Sequence, residues 1–198
     1  MIMEKSKKIL IFVIAMVLVA GIIVGAYFLS GWLFTTIEID GQSMYPTLHD
    51  NDVTILYKRG DYEHGDIVVF NTHKISADGR ERYFVKRIIA MEGDRVRVGL
   101  KPGSDDVYGI YVNGEYLEEN YLPATVPHAL EGQKPAEEIV VPEGCFYYCG
   151  DNRMNSSDSR TDTDSELVLG RVDDILGRVV ARYPKSEGVL KIELVKRP

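Results

Sequence analysis

From Ile9 to Leu29 the chain contains no charged side chain. The run is almost wholly Ile, Val, Leu, Ala, Phe and Gly. About 21 such residues, wound as a helix, cross a hydrocarbon core roughly 30 Å thick. In lipid, the backbone can satisfy its own polar groups only as a helix or a closed barrel. A cleavable leader carries a shorter apolar core, about 7–15 residues, and a small-residue cleavage site. Tyr27-Phe28-Leu29-Ser30-Gly31-Trp32 offers no convincing site of that kind. Lys5, Lys7 and Lys8 precede the run, which places the N-terminus in the cytoplasm by the positive-inside rule. Trp32 then falls at the far interface, where its amphipathic ring is favoured. The expected organisation is a cytoplasmic tail over 1–8, a transmembrane anchor over 9–32 and an extracytoplasmic domain over 33–198, with a small insertion at about 99–142.

The rest of the chain is acidic. The formal net charge is −7, and without Lys5, Lys7, Lys8 and Glu4 the 23 basic and 30 acidic side chains fall to 20 and 29. An acidic body argues against non-specific nucleic-acid binding. Beyond the anchor there is no long amphipathic helical period. Short segments rich in Val, Ile and Tyr alternate with turn signals, so the outer domain is expected to be mainly β. Strands are expected at Thr36–Ile39, Asp52–Tyr57, Asp66–Asn71, Tyr83–Met91, Arg95–Val98, Gly109–Val112, Glu115–Leu117, Gly144–Cys149 and Gly177–Tyr183, with a last one near Val189–Val195. Asn113-Gly114 suits a type I′ hairpin turn. Pro123–Pro142 reads as a loop-like insertion with no chemistry. Cys145 and Cys149 on one strand share a face roughly 13 Å apart, too far for a disulfide, and read as small buried thiols. Two cysteines alone cannot make a four-ligand zinc site.

Gly41-Gln42-Ser43-Met44-Tyr45-Pro46 sets a serine inside a turn. A serine hydroxyl is a poor nucleophile without a base. His49, His64, His73 and His128 all lie in settings typical of surface or turn residues. The stretch lacks the second glycine of a nucleophile elbow, and Pro46 occupies the lysine position of a Ser-x-x-Lys motif. In Phe84-Val85-Lys86-Arg87-Ile88-Ile89, period-two alternation puts Lys86 on one face with Phe84 and Ile88, and Arg87 on the other. Desolvation would depress the lysine pKa and fit it to act as a base. A lysine snorkelling from an edge strand fits the local pattern equally well. The polar run from Gly150 to Arg160 follows a strand and lacks the spacing of a calcium loop.

Together, Ser43 to Leu48, Gly65 to Phe70, Tyr83 to Asp94 and Gly150 to Arg160 resemble the bacterial type I signal peptidases, membrane-anchored Ser/Lys proteases. Val112-Asn-Gly-Glu-Tyr-Leu117 and Asn-Tyr-Leu122 are similar too. The resemblance spans roughly residues 10–183, apart from 123–142. It implies a serine endopeptidase with Ser43 as nucleophile, Lys86 as general base and the Ser43 N–H in the oxyanion hole. Gly41 stands where some members supply a side-chain hydroxyl to that hole. Ser156 would orient the lysine, Asp158 and Arg160 would form a supporting pair, and Asp151 would pair with Arg87. Ile39, Gly41, Met44, Leu48, Phe84 and Val85 would bind an extended signal peptide and accept small residues in an Ala-x-Ala pattern. The implied partners are preprotein signal peptides, the lipid bilayer and the secretion translocon, with no metal or cofactor. Ala90 and Glu92 stand where the family usually has Gly and Pro, and Thr161–Leu169 is longer and more acidic than usual. Two alternatives are a self-cleaving repressor of related chemistry, which would carry a DNA-binding domain instead of an anchor, and an anchored, non-catalytic binding module.

Overall fold

The computed structural model describes residues 2–76, 79–123, 126–161, 168–185 and 191–195. It divides into two units, Met1–Thr35 and Thr36–Pro198. The first is a helix, α1 (Ile2–Leu33). Its segment Ile9–Leu33 is long and apolar enough to cross a membrane and buries nothing within the protein. Ile22, Tyr27 and Phe28 are among the most exposed apolar side chains of the molecule. A helix that is apolar all round has no face to offer an aqueous core, which fits a lipid surrounding.

The second unit is built from antiparallel strands. They are β1 (Phe34–Glu38), β2 (Val53–Tyr57), β3 (Ile67–Ile75), β4 (Glu81–Met91), β5 (Arg95–Leu100), β6 (Tyr108–Val112), β7 (Glu115–Tyr116), β8 (Ile139–Val140), β9 (Cys145–Cys149), β10 (Gly170–Arg171), β11 (Ile175–Tyr183) and β12 (Glu193–Leu194). The main sheet runs β1-β2-β11-β3-β4-β9-β10, with β12 on β11, and a smaller sheet runs β7-β6-β5-β8. The mainly β expectation holds. Strands β3 and β4 run beyond their expected ends, through a register shift between Asn71 and Ile75. The interval expected to be a plain loop contains β8, which pairs with β5, and an isolated bridge from Ala129 to Tyr108. A two-residue strand carries too little alternation to be seen in sequence. Residues 186–190, which include the first two positions of the last expected strand, lie outside the described residues.

Asn113 and Gly114 both have positive φ, 54° and 85°, as a type I′ turn demands. Among the described residues, three buried clusters fill the domain. One gathers Ile39, Met44, Leu48, Leu56, Ile67, Val69 and Val179 beneath the turn that carries Ser43. A second joins Val68, Phe70, Ile88, Phe146 and Tyr148 on the other side of β3 and β4. The third, around Ile89, Val96, Ile110 and Tyr147, ties the small sheet to β4 and β9. Cys149 is buried in this third cluster and Cys145 packs against it half-buried; both are free thiols.

Candidate active site

Strand β4 positions two cations back to back. Lys86 pairs across with Val68, while its neighbour Arg87 pairs with Ile67 on one side and Cys149 on the other. Lys86 is 3 % exposed. Its Nζ sits 4.9 Å from the Phe84 ring centroid, so the apolar face expected for it exists. Burial pushes its ammonium down from 10.5 to about 8, against a partial pull upward from Asp158. Its Nζ contacts Ser43 Oγ at 2.6 Å. The charged form donates in this contact; once neutral, the amine lone pair faces the hydroxyl proton. The snorkelling alternative is thereby removed. Among the described residues no histidine bonds Ser43: His64 pairs with Asp94, His73 with Asp174, His49 lies against Arg182, and His128 lies beside Glu119.

The Ser43 turn is held by main-chain bonds within itself, Tyr45 N to Gln42 O and Leu48 N to Met44 O. Gly41 has φ +96°, a conformation costly for any residue with a Cβ, and donates its N–H to Asp50 Oδ1 at 2.8 Å. Across from the turn, Asn152 donates its N–H to Ser43 O and its side-chain amide to Gln42 O, both at 3.0 Å. Among the described residues, nothing accepts a hydrogen bond from the Ser43 N–H. Thr47 Oγ1 donates to Asp151 Oδ2 at 2.5 Å.

Asp151 meets Arg87 in a two-pronged pair, Nε to Oδ1 at 2.8 Å and Nη2 to Oδ2 at 2.6 Å, with both side chains buried. The third nitrogen of Arg87 donates to Gly65 O at 2.7 Å, and the Tyr121 ring lies 3.9 Å from the guanidinium. Asp158 and Arg160 form a second buried two-pronged pair. Burial pushes the Asp158 carboxyl up, but the Arg160 guanidinium, the Gly150 N–H and Ser156 together outweigh it and hold the pKa below the usual carboxylate range. Asp158 Oδ2 also accepts the Gly150 N–H at 2.9 Å.

Ser156 behaves differently from what the resemblance implies. Its Oγ is buried and makes no full hydrogen bond, to Lys86 or to any other described residue. It lies toward Asp158 and helps hold that carboxylate ionised. A Cβ added to Gly150 would collide with Ser156 Oγ and with the Ser43 carbonyl, so Gly150 brings the polar loop into contact with the serine turn. Ile39, Met44 and Leu48 are core residues directly under the serine, whereas Phe84 and Val85 are half-buried. Glu92 reaches across to accept the Gly144 N–H, and Ala90 is packed in the third cluster. Residues 162–167 of the long acidic segment lie outside the described residues. Among those described, no three His, Cys, Asp or Glu side chains are placed to hold a metal.

Three contributors carried no sequence signal of their own role: Thr47, Asn152 and the pair Arg153–Glu119. The first two stand inside recognised motifs, where only the folded contact reveals their work. Glu119 sits in a run of charged and polar residues that looks solvent-facing, yet it is buried against Arg153.

A half-buried serine hydroxyl against a desolvated amine, beside a main-chain N–H from which no described residue accepts a hydrogen bond, fits a serine hydrolase whose base is lysine. The sequence profile of one such family, "Signal peptidase, peptidase S26", matches residues 8–184. Signal peptidase I S of Bacillus subtilis (strain 168) is 34% identical over 167 residues, 79% of this chain and 81% of that protein. Signal peptidase I of Bacillus licheniformis is 34% identical over 153 residues, 70% of this chain and 72% of that protein. A crystal structure of a signal peptidase I from Enterococcus faecalis V583 is similar with a TM-score of 0.42 and 23% identity, covering 60% of this chain and 97% of that one. The chain belongs to the signal peptidase family, peptidase S26, serine endopeptidases that remove signal peptides.

Proposed function

We propose that Ser43 is the nucleophile and Lys86 the general base of this peptidase, and that the catalytic domain works at the outer face of the cytoplasmic membrane. The contact of Lys86 Nζ with Ser43 Oγ at 2.6 Å carries the reading. Neutral Lys86 takes the Ser43 proton as Oγ forms a bond to the scissile carbonyl carbon. The carbonyl π electrons move to oxygen, where the Ser43 N–H stabilises the oxyanion, worth about 3–4 kcal/mol for one such donor. On collapse, the C–N bond breaks and Lys86 returns the proton to the leaving amine. Lys86 then deprotonates a water that attacks the acyl-serine, releasing the signal peptide as a carboxylic acid and restoring the hydroxyl. Asp151 with Arg87, and Asp158 with Arg160, hold the loop against the serine turn. Ser156 packs beside the dyad.

The substrate would add an extended strand along Ile39–Gly41 and Tyr83–Val85. Phe84 and Val85 would meet its small residues over a floor backed by Ile39, Met44 and Leu48, giving the Ala-x-Ala preference. The apolar helix would hold the enzyme in the bilayer near the translocon and the membrane-tethered preprotein.

The test is cleavage of a synthetic signal-peptide substrate with an Ala-x-Ala site by detergent-solubilised enzyme and by Lys86→Met, a near-isosteric change. Cleavage after the small residue, lost in a folded Lys86→Met variant, is expected. Equal cleavage by both would remove Lys86 as the base.

A further inference from the structure

We propose that Glu119, in the accessory segment after β7, is a positioning residue for the reaction: through Arg153 it fixes the Gly150–Asn152 turn and so aims the Ser43 N–H. This rests on the reading of Ser43 as nucleophile.

A carboxylate taken out of water must be matched by charge and hydrogen bonds. Glu119 is 2 % exposed. It accepts hydrogen bonds from Arg153 Nη1, from Arg153 Nη2 at 2.5 Å and from the Tyr121 hydroxyl at 2.5 Å. His128 Nδ1 also lies 3.3 Å from Glu119 Oε2, but burial lowers the imidazole pKa, so the carboxylate's negative charge rests chiefly on Arg153. Arg153 is equally buried and passes the constraint on: its Nε donates to Gly150 O at 3.0 Å. The Gly150 N–H is held by Asp158. Both polar groups of this glycine are thus gripped by buried charged side chains, while its Cα abuts the Ser43 carbonyl.

One step further, Asn152 Nδ2 holds Gln42 O. That carbonyl and the Ser43 N–H belong to one planar peptide unit and point in opposite directions. Fixing the Gln42 oxygen therefore fixes where the oxyanion donor points. The line runs from Glu119 to Arg153, to Gly150 and Asn152, and ends on the peptide that would receive the oxyanion. Glu119 itself touches neither Ser43 nor Lys86. The largest influences on the Lys86 amine are its own burial and Asp158, so loss of Glu119 should lower turnover without moving the pH at which the base titrates.

The full-length, detergent-solubilised enzyme and its Glu119→Gln variant are compared on the Ala-x-Ala peptide, well below the thermal midpoint of each. The amide keeps the size and one acceptor but loses the charge and turns a donor toward Arg153. Losing a whole oxyanion donor costs about 10²–10³ in kcat. Misaiming it should cost roughly ten- to a hundredfold, with KM within twofold and the acidic limb of the pH profile in place. A double variant, Glu119→Gln with Arg153→Met, should lose no more than Arg153→Met alone, because the carboxylate acts through that arginine. A merely structural role would lower the melting temperature and leave kcat of the folded enzyme within twofold of wild type; that result overturns the proposal, as does full additivity in the double variant. If Glu119→Gln does not fold, Glu119→Asp, which keeps the charge but withdraws it, is judged by the same kcat criterion. Ser43→Ala is run alongside: cleavage by that variant would overturn the reading of the nucleophile, separately from Glu119.

Discussion

At the scale of the residue, the burial of Lys86 costs stability, and in the proposed role as base it is what would make the amine reactive. Its folded pKa, about 8, lies below the ordinary lysine value of 10.5. The unfolded chain therefore binds more protons than the native one between these values, and stability rises with pH across that window. Below pH 8 the burial penalty is fully present, on the order of 3 kcal/mol for such a shift. Lys86→Met should consequently unfold at a higher temperature than wild type at pH 7, and the gap should close as pH climbs from 8 toward 10.5. Activity has the matching sign: kcat/KM should rise tenfold per pH unit below about pH 8 and level off above it, because only the neutral amine accepts the Ser43 proton. Calorimetry across pH 6–10 and a pH–rate profile check both. A variant no more stable than wild type at pH 7 would mean the lysine is not desolvated. Lys86 was half legible in its own strand: alternation set it among apolar neighbours but fitted a snorkelling lysine equally well, and only the motifs around it in the resemblance singled it out. The state of Ser156 was not legible, since a hydroxyl rotor responds to groups that arrive from elsewhere in the fold.

At the scale of the element, β4 is a divider. One face holds the amine at the serine, and the other holds Arg87 against Asp151, from the loop that follows β9. The two-pronged pair locks that loop to the strand, and Thr47 joins the serine turn to the same carboxylate. Removing one partner of a buried pair leaves an uncompensated charge and costs about 3–5 kcal/mol, whereas replacing both with apolar groups can be nearly neutral. Asp151→Asn should therefore lower the unfolding free energy, read from a denaturant titration, by an amount in that range, and Arg87→Met with Asp151→Leu should recover most of it. Equal losses in the single and double variants would show that the pair does not act as a unit. Strands rich in β-branched and aromatic residues and bounded by turn signals, such as β2, β4 and β9, were readable from the chain to within a residue or two. Strands β8 and β10, of two residues each, were not, because their pairing is dictated by β5 and β9 and not by any pattern of their own. The Glu119–Arg153 pair was hidden for a related reason. Its members stand 34 residues apart, and each looks like an ordinary surface charge until the two sheets meet.

At the scale of the whole molecule, the question is which side of the membrane the catalytic domain occupies. The sequence bears on this directly, since an uninterrupted apolar run and its flanking charges need no folding partner to be read. Lys5, Lys7 and Lys8, in the first turns of the helix, stand ahead of its apolar segment Ile9–Leu33, and no lysine or arginine follows that segment before Lys58. The bias in positive charge within reach of the helix ends is thus wholly N-terminal, and such a bias retains that end in the cytoplasm. The acidic body does not oppose export, because acidic residues contribute little to orientation. In a bacterial host, the full chain should sediment with membranes and resist extraction at alkaline pH. Protease added to intact spheroplasts should degrade the domain after residue 36, while an epitope placed ahead of Lys5 survives until the cells are lysed. Moving three lysines from before the helix to just after Trp32 should weaken or reverse that pattern and abolish processing of exported substrates. Protection of the domain in intact spheroplasts would place the serine and lysine on the cytoplasmic side, where an exported preprotein has not yet presented its cleavage site.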